Sequence, residues 1–337
     1  MFKLYKIMFL STLMIGTLIS ISSYSWMGMW LGLEINLLAI IPLMNNSKNL
    51  FSSEASLKYF ITQAMASTVL LFAIILMSQT FIINLNINNP LLLMFNSALL
   101  TKMGAAPFHF WFPEVMEGLS WMNCMIMLTW QKIAPMIMLM YNINMTMFFS
   151  IIIMFSMLVS GILGLNQTSM RKILAYSSIN HIGWMISSMF FMETVWFYYF
   201  IIYTIISMNI IFMLKILNIY YMKQLFTSLN SNTMVKMFFI LNFMSLGGLP
   251  PFLGFFPKWL TIQTLIQNSM YLLTFTMVMM TLLTLFYYMR ITFSTLILNT
   301  AETNFYKNMP LSNFFILTSN FLTIMGLSFC TLTFNIL

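Results

Sequence analysis

Apolar stretches of about twenty residues recur along the chain between short polar joints, the pattern of helices that cross the ~30 Å core of a bilayer. The pattern predicts eleven spans, at 4–22, 24–44, 54–80, 90–118, 121–141, 145–165, 172–191, 194–222, 234–268, 271–297 and 311–336. These runs are far longer than the ~10 alternating residues of a transmembrane barrel strand. Two spans contain their own interruption. In LLLMFNSALLTKMGAAPFHFWFPEVMEG, residues 91–118, Gly104 is a poor helix former and Pro107 lacks a backbone donor, so a break is predicted one turn past Lys102. In LNFMSLGGLPPFLGFFPKWLTIQ, Gly247, Gly248, Pro250 and Pro251 end one half-helix, and Pro257 restarts another beside Lys258. The lysine precedes the first break and follows the second.

The two broken spans lie five helices apart, an odd number, so they cross in opposite directions. That spacing predicts an inverted repeat: helices one to five at 1–143, with a broken helix at about 90–118, and helices six to ten at 144–298, with a broken helix at about 234–268. A loop and final helix at 299–337 stand outside the repeat. Because unpaired backbone cannot face lipid, each break must lie against protein or a wet cavity.

Composition narrows the class to an all-α polytopic membrane protein. The chain is 61% hydrophobic and 6% charged, with a mean hydropathy of +0.91, whereas a water-soluble surface carries roughly 25–35% charged residues. The longest polar stretches, 45–58 and 299–308, are loop-sized. Cys124 and Cys330 lie in apolar runs and suggest neither a disulfide framework nor a metal site. The first residues, MFKLYKIMFLSTLMIG, place two lysines before an apolar core, but no small-residue cleavage site follows, so they read as a retained helix.

The net charge is +8, and where the charges fall says more than their sum. With the N-terminus inside, Lys3, Lys6, Lys48, Lys58, Arg171, Lys172, Lys223, Lys236, Arg290 and Lys307 all fall at inside ends, while the opposite loops carry only Glu193. This agrees with the positive-inside rule and makes the bilayer, rather than nucleic acid, the expected partner.

Lys102, Lys132, Lys215 and Lys258 remain inside spans, joined by Glu34 at the centre of the second. Each charge costs roughly 2.5–3.5 kcal/mol at a helix centre. Burial disfavours the charged form of an ammonium and a nearby carboxylate restores it, so such groups can pass protons when a partner moves. Glu34 with Lys102 is the expected ion pair, and Lys132 and Lys258 are later stations of a proton relay. The alternative for each is a charge that only locks helix packing. Lys215 lies near an inside end and can snorkel instead. His109, past the first break, could lead the relay toward Glu114 and the inside surface, and His181 could hold a water chain; either ring could equally satisfy a buried carbonyl. No nucleophilic triad, phosphate loop or metal-ligand cluster is present in the sequence, and no redox cofactor is expected in this chain.

The motifs KMGAAPFHFWFPEV (102–115), RKILAYSSINHIGWM (171–185) and LGGLPPFLGFFPKW (246–259), with LGLEINLLAIIP (31–42) and KYFITQAMAS (58–67), closely resemble the NADH dehydrogenase subunit 2 family, antiporter-like membrane subunits of mitochondrial respiratory complex I. The resemblance covers nearly the whole chain and is closest to the animal form, which lacks three helices present in bacterial relatives. The abundance of Met, Ile, Phe, Asn and Tyr resembles the product of an AT-rich animal mitochondrial genome such as an insect's. The resemblance implies two inverted five-helix repeats and a proton-pumping role coupled to NADH oxidation by ubiquinone. It maps a relay onto Glu34, Lys102, Lys132 and Lys258 and adds nothing for Lys215. It further implies FMN, iron–sulfur clusters and ubiquinone elsewhere in the complex and structural phospholipids. The implied partners are other membrane-arm subunits, including sister antiporter-like ones, and the implied site is the mitochondrial inner membrane with a matrix-side N-terminus. A cation/proton antiporter of the same fold and a purely structural membrane subunit remain as other readings.

Overall fold

The computed structural model describes residues 4–46, 49–83, 88–229 and 233–297, together with Thr318, Asn320, Phe321 and Gly326. Every regular element among them is helical, and the contacts divide the chain into two units, residues 1–152 and 153–337. Among the described residues, six helices are long and apolar enough to cross a membrane. The final span expected at 311–336, the loop before it, and Lys3, Lys48, Lys307 and Cys330 lie outside the described residues, apart from those four positions.

In the first unit, α1 (Leu4–Ser22) and α2 (Trp26–Met44) form a tight hairpin. The Ser25 hydroxyl caps α2 by accepting from the Gly28 amide at 3.2 Å. The two backbones approach closely because glycine faces the partner on each side: a Cβ on Gly16 would lie 2.7 Å from Asn36 Oδ1, and one on Gly32 would lie 2.6 Å from the Ser20 nitrogen. Small residues allow this contact where lipid tails supply no hydrophobic drive between helices. Next comes α3 (Leu50–Ile83), whose 34 residues pass both ends of the predicted span; at its start the Ser52 hydroxyl donates to the Asn49 carbonyl at 2.7 Å.

The first predicted break is present, between α4 (Asn88–Met103) and α5 (Trp111–Gly118). The span expected at 121–141 is instead two helices, α6 (Trp121–Leu128) and α7 (Trp130–Met140). Thr129 divides them. Its hydroxyl donates to the Met125 carbonyl at 2.7 Å, the same oxygen its own amide uses at 3.1 Å, and its backbone turns to φ −113°, ψ −72°. Such back-bonding bends helices, a local competition that hydropathy does not register.

The chain continues through α8 (Thr146–Leu165) to α9 (Met170–Met189), the central helix of the second unit. Every residue from Ile173 to Met189 is buried, so α9 has no lipid-facing side and packs against α10, α13 and α14. Helix α10 (Glu193–Ile216) ends earlier than the sequence predicts. Asn218 takes φ 52°, and the following strand-like turn pairs with the segment before α9, Met170 donating to the Tyr220 carbonyl at 2.9 Å. A short helix that hydropathy did not separate, α11 (Met222–Leu229), follows. The second predicted break divides α12 (Thr233–Gly247) from α13 (Phe255–Gln267), and α14 (Tyr271–Ile297) follows. Asn320 hydrogen-bonds Asn242 of α12.

Candidate functional site

Both broken spans end their first half-helix in the same way. At α4, Gly104 has φ 76°, and its amide donates to the Thr101 carbonyl at 3.2 Å while Ala105 donates to Leu100 at 3.1 Å. At α12, Gly248 has φ 79°, its amide donates to Ser245 at 3.0 Å and Leu249 donates to Met244 at 3.4 Å. These paired bonds define a Schellman cap, which needs a left-handed residue at its turn and therefore selects glycine.

The two lysines relate differently to these caps. Lys102 is in the last turn of α4, before the break, where helical side chains as a rule lean toward the N-terminus. Lys258 is the fourth residue of α13, and the same tilt carries its ammonium into the break. There Nζ donates to the carbonyls of Gly247 at 2.8 Å and Leu246 at 3.5 Å, with the Trp184 ring centroid 5.9 Å away. Gly248 makes room for it, since a Cβ at that position would lie 2.8 Å from Lys258 Cδ and 2.9 Å from Nζ.

Around Lys102 the end carbonyls of α4 are met by other side chains. The Trp111 indole donates to the Thr101 carbonyl at 3.0 Å and the Gln63 amide donates to the Lys102 carbonyl at 3.4 Å. The expected direct ion pair is not formed. No contact within 4 Å joins Glu34 and Lys102, and Glu34 Oε2 is buried without a hydrogen-bond partner among the described residues. Glu34 sits on α2 and Lys102 on α4, and α3 packs against both helices. Lys132 is fully enclosed on α7, 2% exposed, with Nζ 5.8 Å from the Phe112 ring centroid.

The lesser candidates are dispersed. His109 is buried in the first break, and its Nδ1 donates to the Pro107 carbonyl at 3.3 Å. Glu114 faces outward on α5 and pairs with Lys58 at 2.8 Å; Lys58 also pairs with Glu54 at 2.9 Å. His181 is buried on α9, its Nδ1 2.8 Å from the Tyr199 hydroxyl, with the Tyr203 ring centroid at 5.0 Å. Lys215 is exposed in the last turn of α10. Thus Glu34 and Lys102 share the first unit with Lys132, while Lys258 and His181 belong to the second. Sequence reading missed Trp111, Gln63 and Tyr199 as partners of these groups. Trp111 and Gln63 both stood in motifs that marked the resemblance, but nothing in a linear pattern aims a side chain at a carbonyl on another helix.

Residues 23–284 match the family model described as NADH:quinone oxidoreductase/Mrp antiporter, TM. The chain belongs to this family. Among relatives of this NADH:quinone oxidoreductase/Mrp antiporter chain, NADH-ubiquinone oxidoreductase chain 2 of Aedes aegypti is 51% identical, covering 99% of each chain. The Anopheles gambiae protein of the same name is 48% identical, again over 99% of each. A chain of respiratory complex I from Thermus thermophilus superposes with a TM-score of 0.84 at 22% identity, covering 96% of this chain and 78% of that one. The antiporter-like all-α fold expected from the sequence is therefore the fold observed. Among the described residues no group of three or more His, Cys, Asp or Glu could hold a metal ion.

Proposed function

We propose that this chain is a membrane subunit of a respiratory NADH:ubiquinone oxidoreductase and carries protons through Glu34, Lys102, Lys132 and Lys258. The subunit assignment is supported by the insect relatives of that name, which it matches from end to end. The single observation that carries the relay is the burial of three lysines inside apolar helices, at 8%, 2% and 7% exposure for Lys102, Lys132 and Lys258. Such charges are expensive in a membrane and are retained where ions or protons move. The orphaned Glu34 oxygen fits a link to Lys102 made by water, because a buried carboxylate oxygen needs a donor. The role of this chain is to supply protonatable stations. Electron transfer, with its flavin, iron–sulfur clusters and quinone, belongs to other subunits.

The two matching Schellman breaks support an inverted repeat over 1–143 and 144–298. The charge distribution supports a matrix-side N-terminus in the mitochondrial inner membrane, with sister membrane-arm subunits and phospholipids as neighbours. His109 with Glu114 is the candidate lead of the relay toward the inside surface, and His181 the candidate holder of a water chain.

The test is proton translocation per NADH oxidised in vesicles containing the assembled complex with Lys102→Ala or Lys258→Ala. Impaired pumping at normal complex content supports the relay. Loss of assembly with normal pumping in the complexes that remain supports a structural role instead.

A further inference from the structure

We propose that the groove between α11 and α14 binds an anionic phospholipid, whose phosphate is held by Arg290 and Lys223. The inference rests on the membrane placement proposed above and is independent of the relay.

Along α14 the side chains of Leu282, Phe286, Phe293 and Ile297 are exposed, and their spacing puts them on one side of the helix. Arg290, also exposed, falls on that same stripe, one turn from Phe286 and from Phe293. A guanidinium carries five donors and needs acceptors for them. Its Nη2 donates to the carbonyl of Leu165, the last residue of α8, at 2.6 Å. Among the described residues no carboxylate lies within 4 Å of Arg290 or Lys223. The described residues of the second unit hold a single acid, Glu193, at the far end of α10 from the joint that leads into α11.

Beside Arg290 runs an apolar groove, lined by Met222, Leu225 and Phe226 of α11 and by Ile291 and Ser294 of α14. Thus the chain neighbours of Arg290 meet those of Lys223. Lys223 is exposed and precedes Phe226 by three residues, which places both on one side of α11. Backbone bonds hold that helix at the start of α9: Met222 donates to the Thr168 carbonyl at 3.2 Å and Met170 to the Tyr220 carbonyl at 2.9 Å. The joint adds a third cation, Arg171, whose guanidinium lies 4.8 Å from the Tyr220 ring centroid. About twenty residues counted from Tyr271 bring α14 to the edge of the hydrocarbon near Arg290, and the exposed Tyr221 is an aromatic of the kind found at that depth. An apolar groove that ends in cations at the headgroup level suits a phospholipid: an acyl chain along Met222, Phe226 and Ile291, and a phosphate on the donor fork of Arg290. A free anion would leave the apolar walls unused.

The test uses the assembled complex in phosphatidylcholine vesicles that contain one of two photoreactive probes, a phosphatidylglycerol or a phosphatidylcholine with the same diazirine-bearing chains, and locates the labelled residues by mass spectrometry. The anionic probe is expected to label Met222, Phe226 and Ile291 several-fold more than the zwitterionic one. Arg290→Gln and Lys223→Gln should each lower that excess about fivefold, the weight of one basic residue against an anionic lipid, while protons moved per NADH stay unchanged. The comparison of the two probes on the wild-type complex decides the matter even where a variant fails to assemble. Equal labelling by both probes overturns the inference, and so does an excess that survives both substitutions. Loss of the excess when inorganic phosphate is added at fixed ionic strength overturns the lipid in favour of a free anion. A groove labelled by neither probe, with Leu282 and Phe286 labelled, overturns it as well, because protein then covers the site. Absence of label from every span of this chain overturns the membrane placement itself.

Discussion

Lys258 Nζ lies 2.8 Å from the carbonyl oxygen of Gly247, the last residue of the half-helix on the other side of the break. An ammonium thus closes a helix end in the middle of an apolar bundle, and the glycine that follows makes this possible. Left-handed backbone at Gly248 turns the chain, and its missing side chain leaves space for the lysine. The same left-handed turn at Gly104 follows a lysine that precedes the break, Lys102.

Gly248→Ala should therefore be more damaging than Gly247→Ala. The first adds a methyl 2.8 Å from Lys258 Cδ at φ 79°, while a Cβ on Gly247 would meet only Tyr288 at 3.7 Å and Leu285 at 3.8 Å. The left-handed backbone alone costs about 1–2 kcal/mol for a residue with a side chain. The expected outcome is reduced thermal stability and reduced pumping for Gly248→Ala, with near-wild-type values for Gly247→Ala, read by melting of the purified complex and by vesicle acidification.

Lys102→Ala should leave assembly largely intact, because the α4 end is held by Trp111 and Gln63 rather than by the lysine. Removing a positioned proton-transfer group costs about 10²–10⁴-fold at that step, so proton translocation should fall at least tenfold on the path it serves. Protons moved per NADH, compared with complex content on native gels, checks it.

Glu34→Gln should lower NADH:ubiquinone turnover strongly while preserving the α1–α2 hairpin, since among the described residues Glu34 makes no hydrogen bond at Oε2 and no ion pair within 4 Å. Wild-type turnover in that variant removes Glu34 from the relay.

Gly32→Ala should weaken assembly, because the added Cβ would lie 2.6 Å from the Ser20 nitrogen and 2.8 Å from the Gly16 carbonyl oxygen, both backbone atoms that cannot swing away. Overpacking of this kind costs typically about 1–3 kcal/mol. Lower complex content, with a lowered melting temperature in what assembles, is the expected result, and unchanged melting would show that α1 and α2 tolerate separation.

Hydropathy and helix-breaking residues were sufficient for the all-α membrane class, for most span boundaries and for both breaks, because each depends on local chemistry: twenty apolar residues fill a bilayer, and Gly or Pro interrupts a ladder. The buried Lys102, Lys132 and Lys258 were legible for the same reason, since a charge in an apolar run stands out without a partner. Which atoms these ammonium groups meet was not legible. The Thr129 interruption, the early end of α10 and the missing direct pair of Glu34 with Lys102 all depend on groups competing in space. So do the donors that Trp111 and Gln63 bring to α4. The order along the chain set Lys258 just past its break, where its ammonium meets the Gly247 carbonyl at 2.8 Å, and only packing of helices distant in sequence decided what met the end of α4.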